Sequence, residues 1–194
     1  MRLFAGLGNP GAAYATNRHN VGFMAVDRIA NRYGFSPWKK KGPSFISDGR
    51  LESGKVILIK PQGFMNNSGL PIADIARFHK IHPSNVFVFH DELDLAAGKV
   101  RVKVGGGPGG HNGLRDIDRH LGLAYWRVRI GIGRPRHEAM DVKAWVLTDF
   151  DRDEQTGWVP DLLDAITDEI NRLYQHDDSG FMSRVAYLAP PPST

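Results

Sequence analysis

The sequence predicts one α/β domain whose twisted, mixed parallel and antiparallel sheet is flanked by helices on both faces. Short apolar runs alternate with segments whose apolar residues recur at helical spacing, which is typical of strand–helix–strand units. Two hairpin-like pairs interrupt that alternation, so a purely parallel sheet is not expected. The chain has 194 residues, a usual length for one domain with a sizeable core, and it shows no internal repeat or linker.

The elements follow from runs of strand-forming residues and from helix start and stop signals. Strands are predicted at residues 2–7, 44–51, 55–60, 86–89, 99–104 and 126–132. Helices are predicted near residues 21–33, after a cap at Asn67 or Ser68, at 114–121, and as one long helix that begins at Asp151 or Asp153. A short element is expected at 142–147 and a surface loop at 37–43. The domain is expected to span residues 1–188, with a disordered tail at 189–194.

The charge distribution indicates a polyanionic ligand. The net charge is +4, but residues 1–148 hold 22 Lys and Arg against 11 Asp and Glu, whereas residues 149–194 hold 3 against 10. A basic body of this kind is typical of nucleic-acid binding, and an unevenly charged solvated surface is the alternative. The chain has no cysteine, which excludes disulfides and suits a cytoplasmic protein. No run approaches the roughly 20 apolar residues of a membrane helix, and the first residues lack the layout of a secretory signal.

A stretch from Val86 to Gly113 concentrates the groups that can carry chemistry. Asp91 directly follows a predicted buried strand, and ligand sites in open α/β sheets gather at the carboxyl ends of strands. A carboxylate there can accept a hydrogen bond from an imidazole and stabilise the imidazolium form. His19, at the junction between the first turn and the first helix, is a candidate general base because its ordinary pKa is about 6.5.

The same stretch leaves two other kinds of site open. His90, Glu92 and Asp94 are residue types that bind metals, although side chains so close in sequence rarely converge on one ion. The glycine-rich loop at 105–110 resembles a phosphate cradle, yet it lacks the Lys-Ser/Thr ending of a nucleotide loop. Its alternative role is a mobile loop that needs positive φ values.

Three asparagines stand out because each lies in a turn after a predicted strand or beside the glycine loop. Asn9, Asn66 and Asn112 each carry a carboxamide, which both donates and accepts hydrogen bonds and can therefore pair with a peptide backbone. Taken singly, each is a turn residue or a helix cap. Their conjunction with one histidine and one aspartate favours an active site.

Several motifs occur in order over most of the chain: GLGNPG at 6–11, Tyr14, RHNVGF at 18–23, FMNNSG at 64–69, HDELDL at 90–95, GGG-x-GGHNG at 105–113 and RIGIG at 129–133. Together they resemble bacterial peptidyl-tRNA hydrolases. Pro108 in the glycine loop is a departure, at a position that varies among similar sequences, and it removes no proposed catalytic group.

The resemblance implies a monomeric cytoplasmic enzyme that hydrolyses the ester between a nascent peptide and the 3′ ribose of tRNA, with no metal or cofactor. It implies that His19 is the catalytic base and that Asp91 pairs with it. By the same resemblance Asn9, Asn66 and Asn112 position substrate or water, and Tyr14 and Met65 lie in the substrate cleft. Lys103 and Arg129 match positions that hold tRNA phosphate.

Three other functions are the alternatives. A non-catalytic RNA-binding protein would keep the basic face without needing His19, Asp91 and Asn112 together. A nucleotide-binding enzyme would use the glycine loop, and a metal-dependent hydrolase would lose activity in EDTA.

Overall fold

A seven-stranded sheet in the order β2-β3-β4-β1-β5-β7-β6 forms the centre of the computed structural model, which describes residues 1–193. The strands are β1 (Arg2–Gly6), β2 (Lys39–Lys41), β3 (Ser44–Leu51), β4 (Gly54–Pro61), β5 (Val86–Glu92), β6 (Val100–Val104) and β7 (Trp126–Gly131). The middle four strands, β4, β1, β5 and β7, run parallel, whereas β2, β3 and β6 pair antiparallel with their neighbours. The predicted mixed sheet is confirmed.

Helices cover both faces of this sheet. They are α1 (Val21–Arg32), α2 (Gly69–Phe78), α3 (Asn112–Leu121), α4 (Val142–Val146), α5 (Arg152–Thr156), α6 (Trp158–Asp168), α7 (Ile170–Tyr174) and α8 (Asp178–Leu188). Phe4 of β1 packs in a buried cluster with α1, α6 and α8, and its neighbours Leu3 and Ala5 pack with α2 and α3. Because successive side chains of a strand point to opposite faces, one short apolar strand serves both layers.

The parallel strands bring four carboxyl ends to one edge of the sheet. Asn9 follows β1, the 3-10 turn Met65–Asn67 follows β4, and Asp91 lies near the end of β5. A second 3-10 turn, Arg18–Asn20, leads into α1 at the same edge. Residues far apart in sequence therefore meet there.

Three local predictions are wrong. The expected loop at 37–43 contains β2, an edge strand of three exposed lysines that pairs with β3. Charged residues on an edge strand discourage pairing with another chain. The expected long helix is divided into α5, α6 and α7, with a first break at Gly157, whose backbone is not helical. Asp151 does begin α5 and forms a capping box with Glu154.

The third correction concerns the start of α2. Ser68 precedes the helix, but its hydroxyl donates to the Met65 carbonyl rather than capping the helix. The first amide of α2, on Gly69, instead donates to a carboxylate oxygen of Asp116 at 2.7 Å. Asp116 belongs to α3, so this cap also joins the two helices on that face.

Beyond α8, the described part of the chain has no further regular structure. Ala189 is buried against the core, and residues 190–193 form neither helix nor strand. The expected tail also includes Thr194, which lies outside the described residues. Within residues 1–193 no helix has the length and apolar character needed to cross a bilayer.

Gly22 allows α1 to approach the sheet closely. A Cβ at Gly22 would collide with the Phe89 carbonyl oxygen of β5 and would lie 2.6 Å from the Leu7 backbone nitrogen. The amide of Phe23 also donates to the Leu7 carbonyl at 3.2 Å. The start of α1 is thus held against the backbone that carries Asp91.

We predict that Gly22→Ala lowers the free energy of unfolding by about 1–3 kcal/mol, because the added methyl group must push α1 away from the sheet. Gly107→Ala is the control, since a Cβ there would meet no atom within 4 Å. Urea unfolding of the two variants checks this. Similar midpoints for both variants would contradict the close approach.

Candidate active site

His19 and Asp91 form the centre of the candidate site. Nδ1 of His19 lies 2.9 Å from Oδ1 and 2.8 Å from Oδ2 of Asp91, across 72 positions of sequence. Asp91 is buried, whereas the His19 side chain is 13% exposed. Because an ionised carboxylate only accepts hydrogen bonds, Nδ1 of His19 carries the proton. The other ring nitrogen, Nε2, is then the basic one.

His111 is a second imidazole on the same carboxylate. Its Nε2 lies 2.9 Å from Oδ1 of Asp91, and its ring centroid lies 5.0 Å from that of His19. Nδ1 of His111 accepts a hydrogen bond from the Gly113 amide at 3.1 Å at the start of α3. The two contacts require the Nε2–H tautomer. His111 therefore caps α3 through Nδ1 and donates to Asp91 through Nε2.

His111 is absent from the predicted site. The signal that could have identified it is its place between the glycine loop and the first turn of α3. A histidine at that position can contact the end of β5 with one ring nitrogen while its other nitrogen caps the helix. That inference requires knowing that α3 starts beside β5, which the sequence does not show.

Asn9 is fixed by hydrogen bonds to two neighbours. Its backbone amide donates to Oδ1 of Asn20, and its carbonyl accepts from Nδ2 of Asn20, both at 2.9 Å. Oδ1 of Asn9 accepts from the Met65 amide at 2.8 Å. With its oxygen engaged, Asn9 has its Nδ2 group left to face a ligand.

The other expected substrate residues differ in burial and in their contacts. Met65 is buried, and its sulfur lies near Gly113, where a Cβ would be 2.7 Å away. Asn66 and Asn112, which follow Met65 and precede Gly113, are both exposed. Oδ1 of Asn112 accepts from Arg115 at 3.0 Å. Tyr14 is half-buried, and its carbonyl accepts from the Asn17 amide ahead of the turn that carries His19.

Comparison with known proteins shows the family to which the chain belongs. The family model for peptidyl-tRNA hydrolase matches residues 3–191. The chain belongs to the peptidyl-tRNA hydrolase family. It is 54% identical over 192 residues to a peptidyl-tRNA hydrolase from Ruegeria sp. (strain TM1040), covering 99% of this chain and 77% of that protein. A peptidyl-tRNA hydrolase from Mesorhizobium japonicum is 54% identical over 186 residues, covering 96% of this chain and 77% of the relative.

A solved structure of the family has the same fold. The crystal structure of peptidyl-tRNA hydrolase from Acinetobacter baumannii matches with a TM-score of 0.88 and 36% identity, covering 98% of this chain and 96% of that one. The resemblance expected from the motifs is thus confirmed, and the chain is a hydrolase of this family.

Lys103 and Arg129, the residues expected to hold tRNA phosphate, line one cavity of about 110 Å³ beside the glycine loop. They lie on the paired strands β6 and β7. Arg127 also lines this cavity; its guanidinium donates to the Gly107 carbonyl at 2.6 Å and pairs with Asp118 at 2.9 Å. The carboxylates of Glu92 and Asp94 belong to the same lining. Arg129 donates to Glu92 at 3.2 Å. Lys103 takes part in none of the ion pairs among residues 1–193, whereas Arg129 pairs with Glu92. The positive charge of Lys103 is therefore available to a ligand.

The backbone of the glycine-rich loop at 105–110 adopts conformations that favour glycine. Gly105, Gly106, Gly109 and Gly110 all have positive φ values, which residues with a Cβ rarely adopt. The Pro108 carbonyl accepts from the His111 amide at 2.9 Å, so the loop ends directly at the second imidazole.

A metal site at His90, Glu92 and Asp94 is not assembled. Nδ1 of His90 donates to the Asp91 carbonyl at 2.8 Å, while Glu92 and Asp94 accept from Arg129 and Arg134. The group with metal-like spacing in the described chain is His19, Asp91 and His111, whose ligand atoms lie within 4.8 Å of one another. An ion there would have to replace the protons that the two imidazoles donate to Asp91.

The pKa values at this centre follow from burial and from the shared carboxylate. Burial lowers the pKa of His19, but the charge of Asp91 and its hydrogen bond outweigh burial, so the pKa is raised above 6.5. Burial raises the pKa of Asp91, and the two imidazoles reverse this, so its net pKa is lowered. Burial, followed by repulsion from His111, lowers the pKa of His90 to about 3. His90 is therefore neutral at neutral pH, and Asp91 is ionised.

We predict that His19 titrates above pH 6.5 and that His90 stays neutral down to about pH 3. Burial lowers the pKa of both rings, but only His19 is hydrogen-bonded to the Asp91 carboxylate, which outweighs burial there; His90 is hydrogen-bonded to the Asp91 backbone carbonyl and is also repelled by His111. Ring-proton NMR titration of the two histidines checks this. A midpoint for His19 at or below 6.5 would contradict the claim that the Asp91 carboxylate outweighs burial.

Proposed function

We propose that this chain hydrolyses the ester between a peptide and the 3′ ribose of tRNA, with a water molecule activated by His19 and with Asp91 as its orienting carboxylate. The observation that carries the proposal is the 2.8 Å contact between Nδ1 of His19 and the buried Asp91. This contact leaves the basic nitrogen of a partly exposed imidazole directed away from the carboxylate, as a general base requires.

The chemical step uses one base in two roles. Nε2 of His19 removes a proton from water as the water oxygen bonds to the ester carbonyl carbon. The tetrahedral intermediate then breaks its bond to the ribose 3′ oxygen, which takes the proton back from His19. Asp91 stabilises the imidazolium that exists between these events. Free tRNA and a peptide carboxylate are the products.

The asparagines supply neutral hydrogen bonds around the ester. Nδ2 of Asn9 or of Asn112 donates to the developing oxyanion in this proposal, which is supported by the engagement of both amide oxygens with protein donors. Asn66 and Asn112 read the amides of the peptide, and Tyr14 and Met65 form walls of the cleft. A substrate with a charged α-amino group would leave these carboxamides poorly paired, which would protect ordinary aminoacyl-tRNA.

The substrate partner is peptidyl-tRNA, and its phosphates occupy the cavity at Lys103 and Arg129. The side chain of Arg129 is 20% exposed and pairs with Glu92, so Lys103 supplies the less neutralised charge. The enzyme works as a monomer, without a cofactor, metal or obligate protein partner. We place it in the cytoplasm because its substrate forms on ribosomes.

Incubation of the purified protein with N-acetylated aminoacyl-tRNA, with and without EDTA, tests the proposal. Release of free tRNA at the same rate in both samples is expected, because His19 and Asp91 provide the base without an ion. Binding without release would favour the non-catalytic RNA-binding alternative. Loss of activity in EDTA would favour a metal-dependent hydrolase, and equal cleavage of unblocked aminoacyl-tRNA would refute the selectivity assigned to the asparagines.

His19→Ala should lower kcat by about 10²–10⁴-fold while leaving tRNA affinity largely intact, since a general base contributes about this much and the phosphate contacts lie elsewhere. His79→Ala is the matched control, because His79 lies at the end of α2 away from the carboxyl edge. Single-turnover hydrolysis and tRNA binding are the measurements. Turnover in His19→Ala at the rate of the control would refute the mechanism.

Lys103→Ala should weaken tRNA binding and reduce the slope of log affinity against log salt by about one. Each neutralised phosphate releases counterions, so removal of one contact removes its share of the salt dependence. Lys39→Ala, on the exposed edge strand β2, controls for a general loss of positive charge. If the affinity and the slope are the same in Lys103→Ala and the wild type, the phosphate site is elsewhere.

A further inference from the structure

Arg18 directly precedes His19 and has no role in the proposed reaction, yet it is almost completely buried, with 4% exposure. Its guanidinium makes a two-pronged contact with Glu154, with Nη1–Oε1 and Nη2–Oε2 distances of 2.9 and 2.8 Å. Nε donates to the hydroxyl of Thr148 at 3.1 Å. A planar guanidinium bound in this way has its orientation fixed, not merely its charge balanced.

Two aromatic rings enclose the same guanidinium. Its central carbon lies 3.9 Å from the Trp145 ring centroid and 5.1 Å from that of Phe150. Trp145 lies in α4 and Phe150 in the segment that joins α4 to α5, so the site of Arg18 is built by the C-terminal third of the chain. Glu154 belongs to the acidic segment that the charge distribution singled out.

The backbone on either side of Arg18 is tied to this segment as well. The Arg18 amide donates to the Thr148 carbonyl at 3.0 Å, and the Phe150 amide donates to the Thr16 carbonyl at 3.0 Å. Nδ2 of Asn17 donates to Asp149 at 2.6 Å. Residues 16–18 thus run beside residues 148–150 as a short antiparallel bridge.

His19 lies between two anchored neighbours. Arg18 is fixed to Glu154 on one side, and Asn20 is fixed to Asn9 on the other through the two 2.9 Å hydrogen bonds already described. All three residues share one 3-10 turn, so a shift of Arg18 must move the backbone of His19. The imidazole itself has a single fixed partner of opposite charge, Asp91, so its position depends on that backbone.

We propose that Arg18 is a positioning residue for the hydrolysis: its pairing with Glu154, between Trp145 and Phe150, sets the position of His19 relative to Asp91. The inference rests on the proposed function, because it assigns the role of this cluster through the base. It also gives the acidic C-terminal segment a part in the reaction, since Glu154 and Asp149 hold the turn that carries His19.

Two substitutions test the role. Glu154→Gln keeps the shape of the partner but removes its charge, and Arg18→Lys removes the planar two-pronged contact. In each variant kcat per folded molecule should fall about 10–100-fold with KM changed less than about twofold, because small misplacement of a catalytic group is costly while the substrate contacts remain. The hydrogen-bonded Nδ1 proton of His19, observed by NMR, should shift or disappear.

Asp168→Asn is the matched control. Asp168 of α6 pairs with Arg32 at the far end of α1, so this pair also joins the N-terminal part of the chain to the acidic C-terminal segment, but both side chains are largely exposed. Its kcat and its His19 proton signal should equal those of the wild type. The folded fraction of every variant is measured by near-ultraviolet circular dichroism, so that loss of stability is separated from loss of turnover.

The proposal would be overturned if Glu154→Gln left both kcat per folded molecule and the His19 proton signal unchanged, whatever its unfolding midpoint. The cluster would then contribute to stability alone. If Arg18→Lys does not fold, Glu154→Gln alone decides. Failure of the proposed function is seen separately, as absence of turnover in the wild type. In that case the proton signal of His19 in Glu154→Gln still reports whether the cluster positions the imidazole.

Discussion

The carboxylate of Asp91 is the group on which the rest of this site depends. A buried carboxylate is costly unless it is hydrogen-bonded to charged or polar partners, and Asp91 meets this requirement with imidazoles from two directions. His19 reaches it from the start of α1, and His111 reaches it from the start of α3. These helices cover opposite faces of the sheet, so one side chain at the end of β5 ties both layers together at the site of the proposed chemistry.

Close backbone approach makes this convergence possible. Gly22 lets α1 contact the backbone of Leu7 and Phe89, and Gly113 lets α3 pack against Met65 and Leu7. A larger residue at either position would move one imidazole away from Asp91. The hydrogen bonds between Asn9 and Asn20 and the pairing of Arg18 with Glu154 then hold the turn that carries His19. Buried hydrogen bonds thus hold the base of the site, while Asn66 and Asn112 are exposed.

Periodic, local features of this fold could be predicted from the sequence. The apolar runs correctly indicated β1, β5 and β7, and α1 and α3 followed from helical spacing. His19 and Asp91 were predicted as partners from residue chemistry and family motifs, and the structure places them in contact. His111, the Asp116 cap and the Arg18–Glu154 pair could not be predicted, because each depends on which elements pack together. The β2 strand was missed since a run of three lysines forms a strand only through pairing with β3.

The two imidazoles have different roles because their second nitrogens differ. Nδ1 of His111 is occupied by the start of α3, whereas Nε2 of His19 is left for water. In the proposed mechanism Asp91 is therefore the catalytic partner of His19, and it also accepts the hydrogen bond that holds His111. The most direct test is the single-turnover rate of Asp91→Asn on N-acetylated aminoacyl-tRNA. A fall of about 10³–10⁴-fold at unchanged tRNA affinity is predicted, as for loss of an orienting carboxylate. A rate within a few-fold of the wild type would contradict the central role of Asp91.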